Sequence, residues 1–186
     1  PEGSNVIIET STGRLVQGCN YSVIPSEGVT AIGENSFDGF DSLIIVRLPE
    51  SVSLIEDDAF ANCSNLKTIY MGGGISKIGE RIFKGCGKLA DVYIDADTPP
   101  SMPQGSIPAG CTIHVKESAL SDYKADDVWS AYEIVADNDP TVVPFSVEEA
   151  YDNPRYYDLQ GREAKPGSKG LMIEHSINGS RVLMMW

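Results

Sequence analysis

Few residues in this chain have the chemistry to act. The four cysteines (Cys19, Cys63, Cys86 and Cys111) and two histidines (His114 and His175) are its strongest nucleophile and metal-ligand types. No two cysteines form a CxxC pair, so the usual zinc-site spacing is missing. Cys111 and His114 stand three apart in an alternating stretch, which sends their side chains to opposite faces and argues against a Cys–His dyad. Neither histidine has a motif partner, and no GxSxG, HExxH, P-loop or GxGxxG context occurs. Gly72-Gly73-Gly74 lacks a following Lys-Ser/Thr, so it reads as a turn and not as a phosphate cradle. The acidic groups Glu56-Asp57-Asp58, Asp95/Asp97, Asp126-Asp127 and Asp137/Asp139 do not keep the calcium-loop spacing. They read as solvated faces, with a calcium ion at Asp137 or Asp139 the minor alternative. No catalytic residue, metal ligand or cofactor is assigned, and an enzyme is not expected.

Composition narrows the partner. The formal charge is −13, from 14 basic and 27 acidic residues, which repels nucleic acid and anionic lipid. The apolar share of 41% excludes wholesale disorder. No run of about 18 apolar residues exists, so no transmembrane segment is expected. A chain opening on Pro1 is expected to have lost its initiator, and an export signal with it.

The elements that must position these residues emerge from a repeat. Val29–Ser51, Val52–Gly74 and Ile75–Asp97 align without a gap, 23 residues each. Val29, Val52 and Ile75 coincide, as do Ile32, Ile55 and Ile78, then Phe37, Phe60 and Phe83. Leu43, Leu66 and Leu89 follow, then Val46, Ile69 and Val92, then Leu48, Met71 and Ile94. The Leu-x-x-Ile-x-Leu unit ends in an alternation that predicts a short strand with its Ile and Leu inward. The Ile-Gly-x-x-x-Phe part turns the chain back, with one turn of α- or 3₁₀-helix expected. One copy cannot bury its apolar face, so copies must stack into a solenoid with a continuous core. Asn5–Pro25 reads as a degraded first coil with a hairpin turning at Thr12-Gly13, and Gly18-Cys19 resembles Gly85-Cys86. Downstream, the Pro- and Gly-rich stretch from Thr98 to Gly110 is an irregular loop before the strand Cys111–Val115.

At these residues the chain resembles the BspA-like, or Treponema-type, leucine-rich repeats. Their pattern is similar to Ile55-Glu-Asp-Asp-Ala-Phe60-Ala-Asn-Cys63-Ser-Asn-Leu66-Lys-Thr-Ile69-Tyr-Met71. The third copy keeps Ile78-Gly79, Phe83 and Gly85-Cys86, whereas the first places Phe40 in the cysteine column. The resemblance spans residues 13–136. It implies a leucine-rich-repeat solenoid of short parallel strands with turn, 3₁₀ or short-helix connections, closed by a helix–strand cap at 98–136. Leu120, Tyr123, Val128, Trp129 and Tyr132 would cover the last coil. Residues 137–146 read as a linker. Tyr157-Asp-Leu-Gln-Gly-Arg162, Pro166, Gly170 and Arg181-Val-Leu183 resemble the C-terminal segment of Bacteroidetes surface proteins. With three alternating stretches, residues 147–186 predict a small β-meander. Together these resemblances imply a secreted or cell-surface protein.

Two consequences follow for function. Cys63 and Cys86 stack one strand spacing apart, about 4.8 Å, as a ladder of buried thiols. A Cys63–Cys86 disulfide is the alternative that spacing permits. The outward strand positions form two rows. One is Ile24, Arg47, Tyr70, Tyr93 and His114; its neighbour is Ser22, Ile45, Thr68, Asp91 and Thr112. Exposed Ile, Tyr and Arg on one small sheet suit an interface anchor, although β-propensity alone also selects Tyr, Ile and Thr there. The expected function is recognition of a protein or glycan, with Tyr70 and Tyr93 as stacking surfaces and Arg47 as polar anchor. The alternative is a spacer or assembly module whose tail mediates sorting or self-association.

Overall fold

The computed structural model describes residues 6–18, 24–25 and 27–137, and the backbone of 155–158, 163–164, 170–176 and 179–185. The chain divides into two compact units, Asn5–Val142 and Val143–Trp186 with Pro1–Ser4.

The first unit opens with an antiparallel hairpin of β1 (Ile7–Glu9) and β2 (Arg14–Gln17). Gly13, at φ +69°, closes its turn by donating to the Glu9 carbonyl at 2.9 Å. The repeats supply β3 (Ala31–Ile32), β4 (Ile45–Arg47), β5 (Leu54–Ile55), β6 (Thr68–Met71), β7 (Lys77–Ile78) and β8 (Asp91–Ile94). Then come β9 (Thr112–Lys116), α1 (Leu120–Ala125), a 3₁₀ turn at Trp129–Ala131 and β10 (Glu133–Asp137). These strands make two sheets, ordered β1-β2-β3-β5-β7 and β10-β9-β8-β6-β4. All pairings after the hairpin are parallel, and Ile32↔Ile55↔Ile78 and Val46↔Ile69↔Val92 keep the 23-residue register. This is the stacked solenoid that the columns predict.

The structure corrects two local expectations. Each coil contributes two strands, not one; β3, β5 and β7 are two-residue segments, too short for an alternation to show in the sequence. The return from Ile-Gly to Phe contains no helical turn. Left-handed backbone recurs there at Asn35, Asp58 and Arg81, and again at Gly39, Asn62 and Gly85, which breaks any helix. The freed N–H groups point along the stack: Phe37 N donates to Ala59 O at 2.8 Å, Phe60 N to Ile82 O at 3.0 Å and Gly39 N to Ala61 O at 2.8 Å. The next coil thus satisfies the donors that a helix would have satisfied internally.

One continuous core fills the stack, and the phenylalanine column runs through it. Phe60 is fully buried, with ring centroids 5.0 Å from Phe37 and 5.8 Å from Phe83, both stacked. Each such aliphatic or aromatic burial contributes about 1.5–3 kcal/mol. Ile24, expected outward, instead packs partly buried against this core. The Thr98–Gly110 loop replaces a strand of the first sheet: Ser101 bridges to Lys77 and accepts from Ile78 N at 2.9 Å.

The cap closes the last coil as the aromatic spacing predicts. Tyr123 and Trp129 are fully buried and meet edge to face, and Leu120, Val128 and Tyr132 pack partly buried on the core. Their polar tips find carbonyls: Trp129 Nε1 donates to Pro100 O at 2.8 Å and Tyr132 Oη to Ile107 O at 2.9 Å. Asp126 Oδ1 accepts from the Val128 and Trp129 amides at 2.8 and 3.0 Å, capping the 3₁₀ turn.

The second unit holds β11 (Arg155–Asp158), β12 (Glu163–Ala164), β13 (Gly170–Ser176) and β14 (Gly179–Met185) in one antiparallel sheet ordered β12-β11-β13-β14. It has four strands where three alternating stretches were read, because β12 is only two residues long. Cys19, Ser22, Asp139, the linker from residue 138 on and the His175 side chain lie outside the described residues.

Candidate functional site

The outward side of the β4-β6-β8-β9-β10 sheet brings the sequence-selected residues together. Parallel pairing at the repeat register puts Arg47 beside Tyr70, Tyr70 beside Tyr93 and Tyr93 beside His114. The rings stack. The Tyr70–Tyr93 centroids are 4.5 Å apart at 17°, and the Tyr93–His114 centroids 4.1 Å apart at 11°. The Arg47 guanidinium carbon sits 4.0 Å from the Tyr70 centroid, a cation–π cap on the row. The next row holds Ile45, Thr68 and Asp91, all half-buried. His114 Nε2 lies 3.0 Å from Asp91 Oδ1, which fixes the ring's orientation.

One role changes. Tyr70 and Tyr93 were expected to offer exposed ring faces. They are half-buried, and their faces are already occupied by each other, by Arg47 and by His114. A strand spacing of about 4.8 Å brings like rings into mutual contact before any ligand arrives. The row therefore presents ring edges and hydroxyls.

The structure adds residues that the sequence reading missed. β10 extends the rows, with Val135 opposite His114, Glu133 opposite Thr112 and Asp137 opposite Lys116. Two residues beyond the aromatic row lies a third outward row: Gly72, Asp95, Lys116 and Asp137. One more step of the strand alternation would have found it. Gly72 brings no side chain to this row, and a Cβ there would come within 2.8 Å of the Glu50 backbone. A depression of about 300 Å³ opens at this edge, lined by Arg47, Glu50, Tyr70, Tyr93, Asp95, His114, Lys116 and Asp137 among others.

Its charges are mostly arranged. Lys116 Nζ lies 3.0 Å from Asp97 Oδ1 and 3.3 Å from Asp95 Oδ1. The Asp95 oxygen is buried and within ion-pair reach, yet no donor is aligned to hydrogen-bond to it. Glu50 Oε2 accepts from Gly73 N at 2.5 Å. Burial first, then the charges of Tyr70's neighbours Asp91 and Asp137, keep the Tyr70 hydroxyl protonated above its ordinary range, against the opposing effect of Arg47. Tyr93 shifts the same way, again chiefly through burial.

The cysteines are not part of this face. Cys63, Cys86 and Cys111 are buried free thiols, so the disulfide alternative is not the one adopted. Cys63 Sγ donates to Phe37 O and Cys86 Sγ to Phe60 O, both at 3.1 Å, and Cys111 Sγ to Leu89 O at 3.3 Å. The neighbouring Cys86 thiol and burial push Cys63 up, and burial pushes Cys111 up to about 11. Among the described residues no group of three or more His, Cys, Asp or Glu could hold a metal ion, and no helix is long and apolar enough to cross a membrane.

Comparison with known families matches residues 16–100 to the BspA type leucine rich repeat region, in six copies. The matched stretch is just under half of the 186 residues and contains β4, β6 and β8 but stops before β9, α1 and β10. Neither curated proteins nor solved structures yield a match.

Proposed function

We propose that this leucine-rich-repeat solenoid is a non-catalytic binding module, secreted or displayed at a cell surface, that recognises a partner through the outward strand face. The observation that carries the reading is the continuous Arg47–Tyr70–Tyr93–His114 row, its rings half-buried and its Arg47 end exposed, flanked by a depression. Aromatic and arginine side chains on a rigid sheet lose little entropy when a partner covers them. Ile45, Thr68 and Asp91 widen the contact on one side. Of the two expected partner classes, protein fits better than glycan. Sugar stacking needs an open ring face, whereas a protein can use ring edges, hydroxyls and the depression beside them. The test is a Tyr70→Ala/Tyr93→Ala variant on arrays of proteins and glycans. Loss of the wild-type hits supports the face, and retention of every hit removes it.

A second reading, a spacer or assembly piece working through its tail, has one observation in its favour. β14 is a seven-residue edge strand of the second unit's sheet, and an edge of that length is a template for pairing with another chain. Light scattering with and without residues 147–186 separates the readings, since a tail-dependent oligomer favours this one.

A further inference from the structure

We infer that the occupant of this face is a cationic segment of a partner protein, its lysine or arginine head seated in the depression beside Asp95. The inference rests on the protein-binding reading and specifies the partner's chemistry. Carboxylates flank the aromatic row on both sides, Asp91 and Glu133 along one and Asp95 and Asp137 along the other. The two cations in these rows are already engaged, Arg47 over the Tyr70 ring and Lys116 with Asp95 and Asp97. Lys116 shows within the molecule that an ammonium group is accepted at this rim. Asp95 Oδ1 itself is shielded and faces Lys116, but the Asp95 side chain as a whole is about one-third exposed at the rim of the depression. A guanidinium or ammonium from outside would meet the carboxylate on that exposed side, next to the cation it already accepts.

The surroundings exclude other occupants on physical grounds. With a whole-chain charge of −13, an anionic partner is repelled and a cationic one is steered in. A second copy of the chain carries the same excess charge and meets like with like. Stacked rings leave edges and hydroxyls, against which the methylene stem of Lys or Arg packs while its head reaches the carboxylates.

The test uses the isotope-labelled 186-residue chain, titrated with short peptides that differ only in one central residue: arginine, lysine, glutamine or glutamate. The arginine and lysine peptides are expected to shift the backbone amides of Tyr70–Gly73, Tyr93–Ala96 and His114–Lys116. Their affinity should fall several-fold as salt is raised from about 50 to 200 mM. Asp95→Asn should weaken them by about tenfold, the size of one lost charge contact. Lys116→Gln should act the other way, strengthening them by removing the internal competitor. That opposite sign separates recognition from simple unfolding. Equal shifts with the glutamine or glutamate peptide would overturn the cationic assignment while leaving the face as a binding surface. Absence of any shift on this face up to millimolar peptide overturns the assignment as well, and the array experiment then decides whether the face binds anything.

Discussion

At the scale of single residues, stacking decides both stability and what the surface offers. Inside, Phe60 is held between Phe37 and Phe83 and is wholly shielded from water. Phe60→Ala removes a ring from two stacks at once and leaves a cavity that neighbouring coils, tied by backbone hydrogen bonds, cannot close. The expected loss is about 3–5 kcal/mol, lowering the Tm by roughly 10–20 °C. Thermal unfolding followed by circular dichroism measures it, and a drop of only a few degrees would mean that the column is not packed as described. Outside, the same 23-residue register converts two tyrosines and a histidine from separate exposed rings into one row whose faces are closed. Polar residues also bridge coils: Arg14 makes a two-pronged pair with Glu56 at 2.7 and 2.5 Å, and holds that carboxyl below its ordinary range by the hydrogen bond. Both partners are partly exposed, so this pair orders the coils more than it stabilises them.

At the scale of elements, the ends of the stack matter most. An internal coil is covered on both sides, but the last would expose its apolar end without α1 and the 3₁₀ turn. Trp129 fills that end, fully buried and tied to Pro100 O. Trp129→Ala should therefore cost about 3–5 kcal/mol and act directionally. Amide hydrogen exchange should speed up first in β10 and β9 and last in β3. Uniform acceleration across all strands would show instead that the stack unfolds as one unit. The cap was legible in the sequence as an aromatic stripe because burial demands large apolar groups at one helix face. The two-residue strands of the first sheet were not legible. A strand that short carries no alternation, and its partners lie 23 residues away.

For the whole molecule, charge is the governing quantity. With 27 acidic against 14 basic residues, self-repulsion opposes the compact state, and added salt screens it. The urea midpoint at neutral pH should rise between low ionic strength and about 0.5 M sodium chloride, while cationic peptide binding weakens over the same range. A midpoint that falls with salt would mean that the internal pairs of Arg14, Arg81 and Lys116 outweigh the repulsion.

The sequence by itself determined which residues share a row. A strict 23-residue period admits one stacking register, and burial then places Ile, Leu and Phe inside and Arg47, Tyr70, Tyr93 and His114 on a common outer line. What those side chains do with one another was decided by tertiary structure alone. Ring tilt, the seating of Arg47 on Tyr70, the reach of His114 to Asp91 and the unaligned oxygen of Asp95 depend on rotamers chosen among neighbours from different coils. The left-handed turns were decided there too, since their amide donors are satisfied only when the next coil is in place. Periodicity encodes adjacency, which is a property of spacing. It does not encode orientation, which arises from contacts that no single coil contains.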